Sequence, residues 1–201
     1  MTSDRFDPSD LEIAGVPVDA DGRSATAWTG SRLINLADPD PADVILEDVA
    51  RNLSRTMRYN GGTRDAWSVL DHLLVCDRIA AAEGLPRAER RAVILHDAAE
   101  WITGDMSRPV KIMVPEFRAF EAHIWRRAIA PRFDLPEDLP SAVKRIDNEA
   151  AAAEGLDLFD PPQRWPGLPA PREVARQRFA FGPPAQVAAR FLRRCAALGI
   201  K

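Results

Sequence analysis

A histidine and an aspartate stand side by side near the middle of the chain, and a glutamate follows one helical turn later. His96 and Asp97 come directly after the apolar run Ala92–Leu95, and Glu100 lies four residues past His96, on the same helix face. An imidazole nitrogen beside a carboxylate oxygen offers ligands that suit Zn, Mn, Fe or Co. The pattern predicts a buried helix ending near Gly104, with a metal site where Glu100 handles a bound water or supports a second ion.

A second histidine is expected to meet the first in space. Gly84 marks a turn between two predicted helices, at about 68–83 and about 87–102. His72 and His96 lie at equal distances along the chain from Gly84, one before it and one after it. In an antiparallel helix pair, equal distances from the connection place two side chains at one level. We therefore expect the two imidazoles to be neighbours.

The composition indicates one globular domain. The chain has 201 residues, 46% hydrophobic and 28% charged, which suits a single domain over 1–201 with a sizeable core. A net charge of −3 argues against a nucleic-acid partner. No run approaches the length of a membrane span, and the acidic N-terminus does not resemble a signal peptide, so we expect no membrane partner and a cytoplasmic location. Cys76 and Cys195 form no disulfide framework and are interpreted as small core hydrophobes.

Hydrophobic periodicity predicts an all-α fold with a small extended or hairpin element near the N-terminus. Residues 1–40 are interpreted as an N-terminal arm, and the proline-rich residues 157–183 as a loop that covers the body. Trp101 and Trp125 are assigned to the core. The predicted helices are about 42–57, 68–83, 87–102, 115–132, 139–159 and 184–198.

A glycine-containing loop precedes the first of the two histidine helices. Arg58 and Arg64 flank the pair Gly61-Gly62, and glycine pairs permit positive φ and close approach of the backbone to a ligand. The segment fits an anion-binding site, and it fits a solvated turn equally well.

The order of the candidate residues resembles a known superfamily. A lone histidine, then a His-Asp doublet and then a distal aspartate, here His72, His96-Asp97 and Asp147, are similar to the HD-domain metal-dependent phosphohydrolases. The neighbouring sequence most resembles the bacterial 5′-deoxynucleotidase branch, and the approach to Arg58 also resembles phage-type deoxynucleotide triphosphohydrolases. The similarity covers roughly residues 30–160. The segments that carry it are 35–41, 58–61, 67–72, 96–105 and 109–111.

For the fold and the metal, the resemblance implies an HD-domain helical bundle that holds one divalent ion, with a second ion as an option. The ion would be Mn, Co, Zn, Fe or Mg. The ligands it implies are His72, His96, Asp97 and Asp147. Asp147 has an alternative interpretation as a surface acid that pairs with Arg145.

For the chemistry, the resemblance implies a catalytic role for two acids. Glu100 would orient or deprotonate the attacking water, and Asp105 would assist the leaving oxygen or hold a second ion. Substrate contacts would come from Arg58, whose planar fork suits phosphate, from Tyr59 beside the sugar, and from Lys111.

The sequence thus predicts a metal-dependent phosphohydrolase that acts on a small nucleotide. A (deoxy)nucleoside 5′-monophosphate is the favoured substrate. Attack on the α-phosphorus of a deoxynucleoside triphosphate, with release of triphosphate, is the alternative. A catalytically silent, metal-dependent nucleotide-binding protein is the alternative from another class. The basic and apolar C-terminal helix offers a surface for a homodimer, which is common in the resembling branch.

Overall fold

The computed structural model describes residues 24–176 and 182–201, and this part of the chain is mostly helical with one small hairpin. The predicted helical class is therefore confirmed for these residues. Residues 1–23 of the predicted arm and 177–181 of the predicted covering loop lie outside the described residues. The α-helices are α1 (Leu46–Leu53), α2 (Val69–Ala82), α3 (Arg87–Leu95), α4 (Glu100–Thr103), α5 (Arg108–Met113), α6 (Pro115–Ile124), α7 (Ala130–Arg132), α8 (Ser141–Asp157), α9 (Glu173–Arg176) and α10 (Pro184–Ala197).

The hairpin is formed by β1 (Thr26–Trp28) and β2 (Leu33–Asn35), which pair antiparallel. Its turn is fastened to α1, because the Thr29 hydroxyl donates a 3.2 Å hydrogen bond to the buried carboxylate of Asp48. The predicted extended element is thus present. Its two strands pair with each other, Thr26 opposite Asn35 and Trp28 opposite Leu33.

Helices α2 and α3 form the antiparallel pair that the sequence predicts around Gly84. Helix α2 begins with a capping box in which Ser68 and Asp71 exchange side chain-to-backbone hydrogen bonds of 3.1 and 3.2 Å. Gly84 has φ 68°, a conformation that glycine adopts without steric cost. Arg90 of α3 donates to Asp77 of α2 at 2.7 Å, which fixes the register of the two helices.

The predicted continuous helix over 87–102 is interrupted at the His-Asp doublet. Helix α3 ends at Leu95, and the backbone then forms i→i+3 hydrogen bonds, from Ala98 to the Leu95 carbonyl at 2.8 Å and from Glu100 to the Asp97 carbonyl at 3.0 Å. Such bonds make a tighter turn than an α-helix, and a tight turn inside a helical run often marks a functional position. As predicted, the run ends at Gly104, which has φ 74°.

Two clusters of buried apolar side chains form the core, and together they connect the hairpin with α1, α2, α3, α8 and α10. Trp101 and Trp125 are 5% and 6% exposed, which confirms their assignment to the core. The predicted helix over 115–132 contains a π-helical turn, Trp125–Ile129, between α6 and α7, and this turn leaves Ile124 and Ile129 both fully buried. Within the described parts of the chain, no helix has both the length and the apolar character needed to cross a membrane.

Candidate metal centre

The two histidines meet as predicted. Their ring centroids lie 5.5 Å apart, with His72 on α2 and His96 immediately after α3. The His72 side chain is fully buried, and the His96 side chain is 6% exposed. Equal spacing from Gly84 therefore places both imidazoles at one level in the protein interior.

Two aspartates approach these imidazoles from different elements. Asp97 places Oδ1 3.3 Å from His96 Nε2 and Oδ2 3.8 Å from His72 Nε2. Asp147, from α8, places Oδ1 3.4 Å from His72 Nε2. The structure therefore brings together the four side chains that the resemblance implies as ligands.

Asp147 does not pair with Arg145, which was its alternative role. Arg145 donates to the carboxylate of Glu83 at 2.6 Å, on the other side of α8. The second oxygen of Asp147 accepts hydrogen bonds from Lys144 at 3.1 Å and Arg108 at 3.3 Å. The carboxylate thus has one oxygen toward the histidines and one toward cations.

The charges of this cluster favour ionised carboxylates. Burial would raise the pKa values of Asp97 and Asp147, but the imidazoles outweigh burial and hold both pKa values below their usual range; His96 acts most strongly on Asp97, and His72 on Asp147. Burial and the nearby Arg58 lower the pKa of His72, yet Cys76, Glu154 and Asp147 outweigh them and raise it. Without a metal, His72 is therefore favoured as the doubly protonated imidazolium.

Unpaired buried atoms indicate that a cation fits here. Within the described residues, His96 Nε2 and Glu100 Oε2 are buried and have no hydrogen-bond partner. An unsatisfied buried polar atom costs about 1–3 kcal/mol, so each requires an explanation. Two imidazoles and two carboxylates are a suitable donor set for Zn, Co, Fe or Mn.

A cysteine that the sequence analysis assigned to the core also reaches the histidines. Cys76 lies one turn after His72 on α2, and its Sγ is 3.4 Å from His72 Nε2. The ligand atoms of His72, Cys76 and His96 all lie within 4.8 Å of one another, a grouping that can hold a metal ion. The spacing of four residues was the available signal, but it did not show which way the thiol faces.

Glu154, which the sequence analysis missed, supports His72 from behind. Its fully buried carboxylate lies 2.7 Å from His72 Nδ1 and accepts hydrogen bonds from Arg58 Nε at 3.2 Å and from the Tyr59 hydroxyl. Burial would raise its pKa, but Arg58 and His72 outweigh burial and lower it to about 2. Glu154 follows Asp147 by two helical turns, which was the only sequence signal.

The loop before α2 turns its first arginine inward. Tyr59 and Asn60 have φ values of 56° and 53°, a left-handed conformation that is costly for residues other than glycine. The Arg58 side chain is 11% exposed and lies 3.7 Å from Asp97, so it is not a solvated charge. Arg64, in contrast, donates to the Asp157 carbonyl at the surface.

Glu100 lies at the wall of the centre in an anionic environment. Burial raises its pKa well above the usual value, and Asp97 and Asp105 add to this effect. Lys111 Nζ lies 3.1 Å from Glu100 Oε1 and 2.7 Å from Glu121 Oε1. Glu121 was also missed by the sequence analysis, because it pairs with Lys111 from a different helix.

Among the cavities that the described residues form near this centre, two adjoin each other. One, of about 630 Å³, is lined by His96, Asp97, Glu100, Asp147 and several cations. The other, of about 490 Å³, is lined mainly by apolar and aromatic side chains, and in it Tyr59 stacks on Trp165 with ring centroids 5.3 Å apart. The side chains shared by both walls are Arg58, Asp105 and Arg108.

Comparison with known proteins gives relatives that are themselves uncharacterized. No protein-family model matches the chain. The chain is 33% identical over 183 residues to an uncharacterized protein of Rhodobacter capsulatus, covering 84% of this chain and 93% of that protein. It is 29% identical over 132 residues to the uncharacterized protein YfdR of Escherichia coli K12, covering 64% of this chain and 71% of YfdR. On this identity and coverage, the chain belongs to the same family as the Rhodobacter capsulatus protein.

Proposed function

We propose that the protein is an HD-type, divalent-metal-dependent phosphohydrolase that cleaves the phosphate ester of a small nucleotide. One observation carries the proposal. Two buried imidazoles and two ionised carboxylates converge, with nitrogen–oxygen distances of 3.3–3.8 Å, beside an inward-facing arginine. Imidazoles and carboxylates are ligands for a divalent cation, which can polarise a phosphoryl oxygen and activate a water, and an arginine beside them can bind phosphate.

The metal would be held by His72, His96, Asp97 and Asp147, whose atoms already face one another. When bound, it would lower the pKa of a bound water and neutralise phosphate charge. Three or four protein ligands leave positions for that water and for a phosphoryl oxygen. The clearest support for metal binding is His96 Nε2, which is buried, makes no hydrogen bond and lies 3.3 Å from Asp97 Oδ1.

The proton transfers are assigned to two acids beside the ligands. Glu100 Oε2, which has no partner within the described residues, takes a proton from the attacking water as the new oxygen–phosphorus bond forms. The ester bond to phosphorus breaks, and Asp105 returns a proton to the leaving oxygen. Burial raises the pKa of both Asp105 and Glu100, so each carboxyl group can hold a proton. Lys111, 3.1 Å from Glu100 Oε1, and a bound cation would favour the ionised form of Glu100 that a base requires.

The phosphate would bind between the two cavities. Arg58 lines both of them and lies 3.7 Å from Asp97, so its guanidinium is placed to contact a phosphoryl oxygen near the metal. The nucleoside would then occupy the 490 Å³ cavity, whose size and apolar walls are typical of small-molecule sites. Tyr59 and Trp165 offer flat surfaces there for a sugar or a base.

One observation favours a longer phosphate chain as the second candidate substrate. Besides Arg58 and Lys111, the 630 Å³ cavity is lined by three more cationic side chains, Arg108, Arg118 and Lys144. These charges would suit the β- and γ-phosphates of a deoxynucleoside triphosphate. Water attack at the α-phosphorus would then release tripolyphosphate instead of inorganic phosphate.

The test is a product assay on metal-stripped protein. Nucleoside mono- and triphosphates are each supplied with Mn²⁺, Co²⁺, Mg²⁺ or Zn²⁺, and the phosphate products are separated by chromatography. Inorganic phosphate from monophosphates is the expected result. Tripolyphosphate from triphosphates would transfer the assignment to the second candidate.

Two further results would contradict the proposal. Nucleotide binding without turnover under every metal would identify a silent binding protein. Absence of stoichiometric metal would remove the basis of the mechanism altogether.

A further inference from the structure

We propose that Cys76 is a thiolate ligand of the metal, alongside His72 and His96. The proposal deepens the metal site on which the proposed function rests, but it does not depend on the reaction that the metal serves. Cys76 is fully buried on α2, one turn after His72, so both side chains leave the helix on one face. Cys76 packs in the apolar cluster with Val75 and Ile79, and its sulfur faces the His72 imidazole.

The distance between the two donors suits joint coordination. Cys76 Sγ lies 3.4 Å from His72 Nε2. With metal–nitrogen and metal–sulfur bonds of about 2.1 and 2.3 Å, this separation corresponds to an angle at the metal of about 100°, near the tetrahedral value. The side chains can thus share one ion without moving apart.

An independent observation points to the same position. Within the described part of the chain, His96 Nε2 is buried without a hydrogen-bond partner, and His96 groups with Cys76 Sγ and His72 at ligand-atom separations within 4.8 Å. Three donor side chains from two helical segments therefore surround one point, and one of the three is unsatisfied. An ion at this point would satisfy that nitrogen and engage the sulfur at once.

The consequence is a preference among metals. Thiolate is a soft ligand that favours Zn²⁺ and Co²⁺, whereas Mn²⁺ and Mg²⁺ prefer oxygen. On coordination the Sγ–H bond breaks, the sulfur–metal bond forms and the proton passes to solvent. Nitrogen and oxygen sites already bind Zn²⁺ and Co²⁺ more tightly than Mn²⁺, and Cys76 should widen that difference.

The second cysteine provides a matched control. Cys195 on α10 is equally buried and also packs among apolar side chains, Val187 and Phe191, but among the described residues it is Cys76 that groups with the two histidines. Burial raises the pKa of its thiol to about 12, and the charged groups that act on it are Asp77 and Arg194. Replacing Cys195 thus removes a buried thiol without touching the centre.

The experiment follows Co²⁺ binding to the metal-stripped full-length protein by absorption spectroscopy. A cobalt–thiolate bond gives a charge-transfer band in the near ultraviolet that nitrogen and oxygen ligands do not give. We expect this band in the wild type and in Cys195→Ser. We expect Cys76→Ser to bind one Co²⁺ without the band, to lose at least about tenfold in Zn²⁺ affinity, and to keep its Mn²⁺ affinity.

Three results would overturn the inference. The wild type could bind one Co²⁺ without showing the band, the band could persist in Cys76→Ser, or the wild type could bind no Co²⁺ at all. If Cys76→Ser does not fold, zinc-edge X-ray absorption of the loaded wild type decides the matter, because a sulfur neighbour at about 2.3 Å is expected and its absence refutes the ligand. Phosphate release without the band would reject Cys76 as a ligand and retain the proposed function. The band without any phosphate release would retain Cys76 as a ligand and reject the proposed function.

Discussion

Replacing Glu154 with glutamine removes one charge from the interior and leaves the shape of the side chain nearly unchanged. In the folded protein, Arg58 and His72 hold the pKa of Glu154 at about 2, against an ordinary value of 4.5. This difference corresponds to about 3 kcal/mol of folding free energy at neutral pH. Glutamine imitates the protonated acid, so Glu154→Gln should lower the free energy of unfolding of the metal-free protein by about 3 kcal/mol at pH 7.

The sign of the pH dependence follows from the lowered pKa. The contribution of Glu154 is complete above pH 4.5 and disappears as the pH falls toward 2, because the acid then becomes protonated in both the folded and the unfolded state. The gap between wild type and variant should therefore shrink to about 2 kcal/mol at pH 3.5. Urea unfolding followed by tryptophan fluorescence, in the presence of a chelator, measures the gap at each pH.

The same substitution should also weaken metal binding. Glu154 accepts from His72 Nδ1 at 2.7 Å, which directs Nε2 toward the aspartates. A glutamine that keeps its oxygen toward Arg58 and Tyr59 turns its NH₂ group to Nδ1 and favours the wrong tautomer. Loss of such a support typically costs about 10–100-fold in metal affinity, which competition with a chromogenic chelator would detect.

Glu149→Gln is the control for this experiment. Glu149 is also buried on α8 and pairs with Arg172 at 2.6 and 2.8 Å, but it does not contact the centre. It should lose stability and keep its metal affinity. A free energy of unfolding of Glu154→Gln within about 0.5 kcal/mol of the wild-type value at pH 7 would contradict the predicted loss of stability. A difference in unfolding free energy that does not change with pH would contradict the lowered pKa. Equal loss of metal affinity in both variants would contradict a specific role of Glu154 at the centre.

Three further predictions concern the centre itself. Asp97→Ala should lose bound metal, as counted by atomic emission, and all phosphate release; normal turnover would mean that the reaction is elsewhere. Glu100→Gln should keep metal and nucleotide but lose at least about 100-fold in turnover, and loss of metal would instead make Glu100 a ligand. Because the pKa of His72 is raised above its usual value, a metal must displace a proton there. Zn²⁺ affinity should accordingly rise from pH 6 to pH 8, with proton release seen by calorimetry in two buffers, and an affinity independent of pH would contradict the protonated imidazole.

The meeting of His72 and His96 was predictable from the sequence because its cause is local. A helix advances by a constant rise for each residue, so equal counts on either side of Gly84 set equal heights. The end of the second run at Gly104 was predictable for the same kind of reason, since a positive φ there suits glycine. The tight turn after Leu95 was not, because tertiary contacts override the helical preference of the residues that form it.

The partners of the centre come from distant parts of the chain. Tyr59 and Glu154 are 95 residues apart, and Lys111 meets Glu121 only because α5 and α6 fold against each other. Composition and periodicity carry no information about such long-range pairs. Cys76 is a different case, because it lies only four residues after His72 on the same helix. Its role was still not predictable, since a buried cysteine suits an apolar core as well as a metal site.

The sequence by itself determined the helical class, the pairing of α2 with α3 and the meeting of His72 with His96, because each depends on residue types at short and regular spacing. The tertiary structure alone decided that Asp147 faces His72 and does not face Arg145, that Glu154 supports the imidazole from behind, and that the Cys76 sulfur turns toward the centre. The physical reason is that a side chain's partner depends on which helices pack together. Which helices pack together depends on how the whole chain buries its apolar surface, and no single motif specifies this.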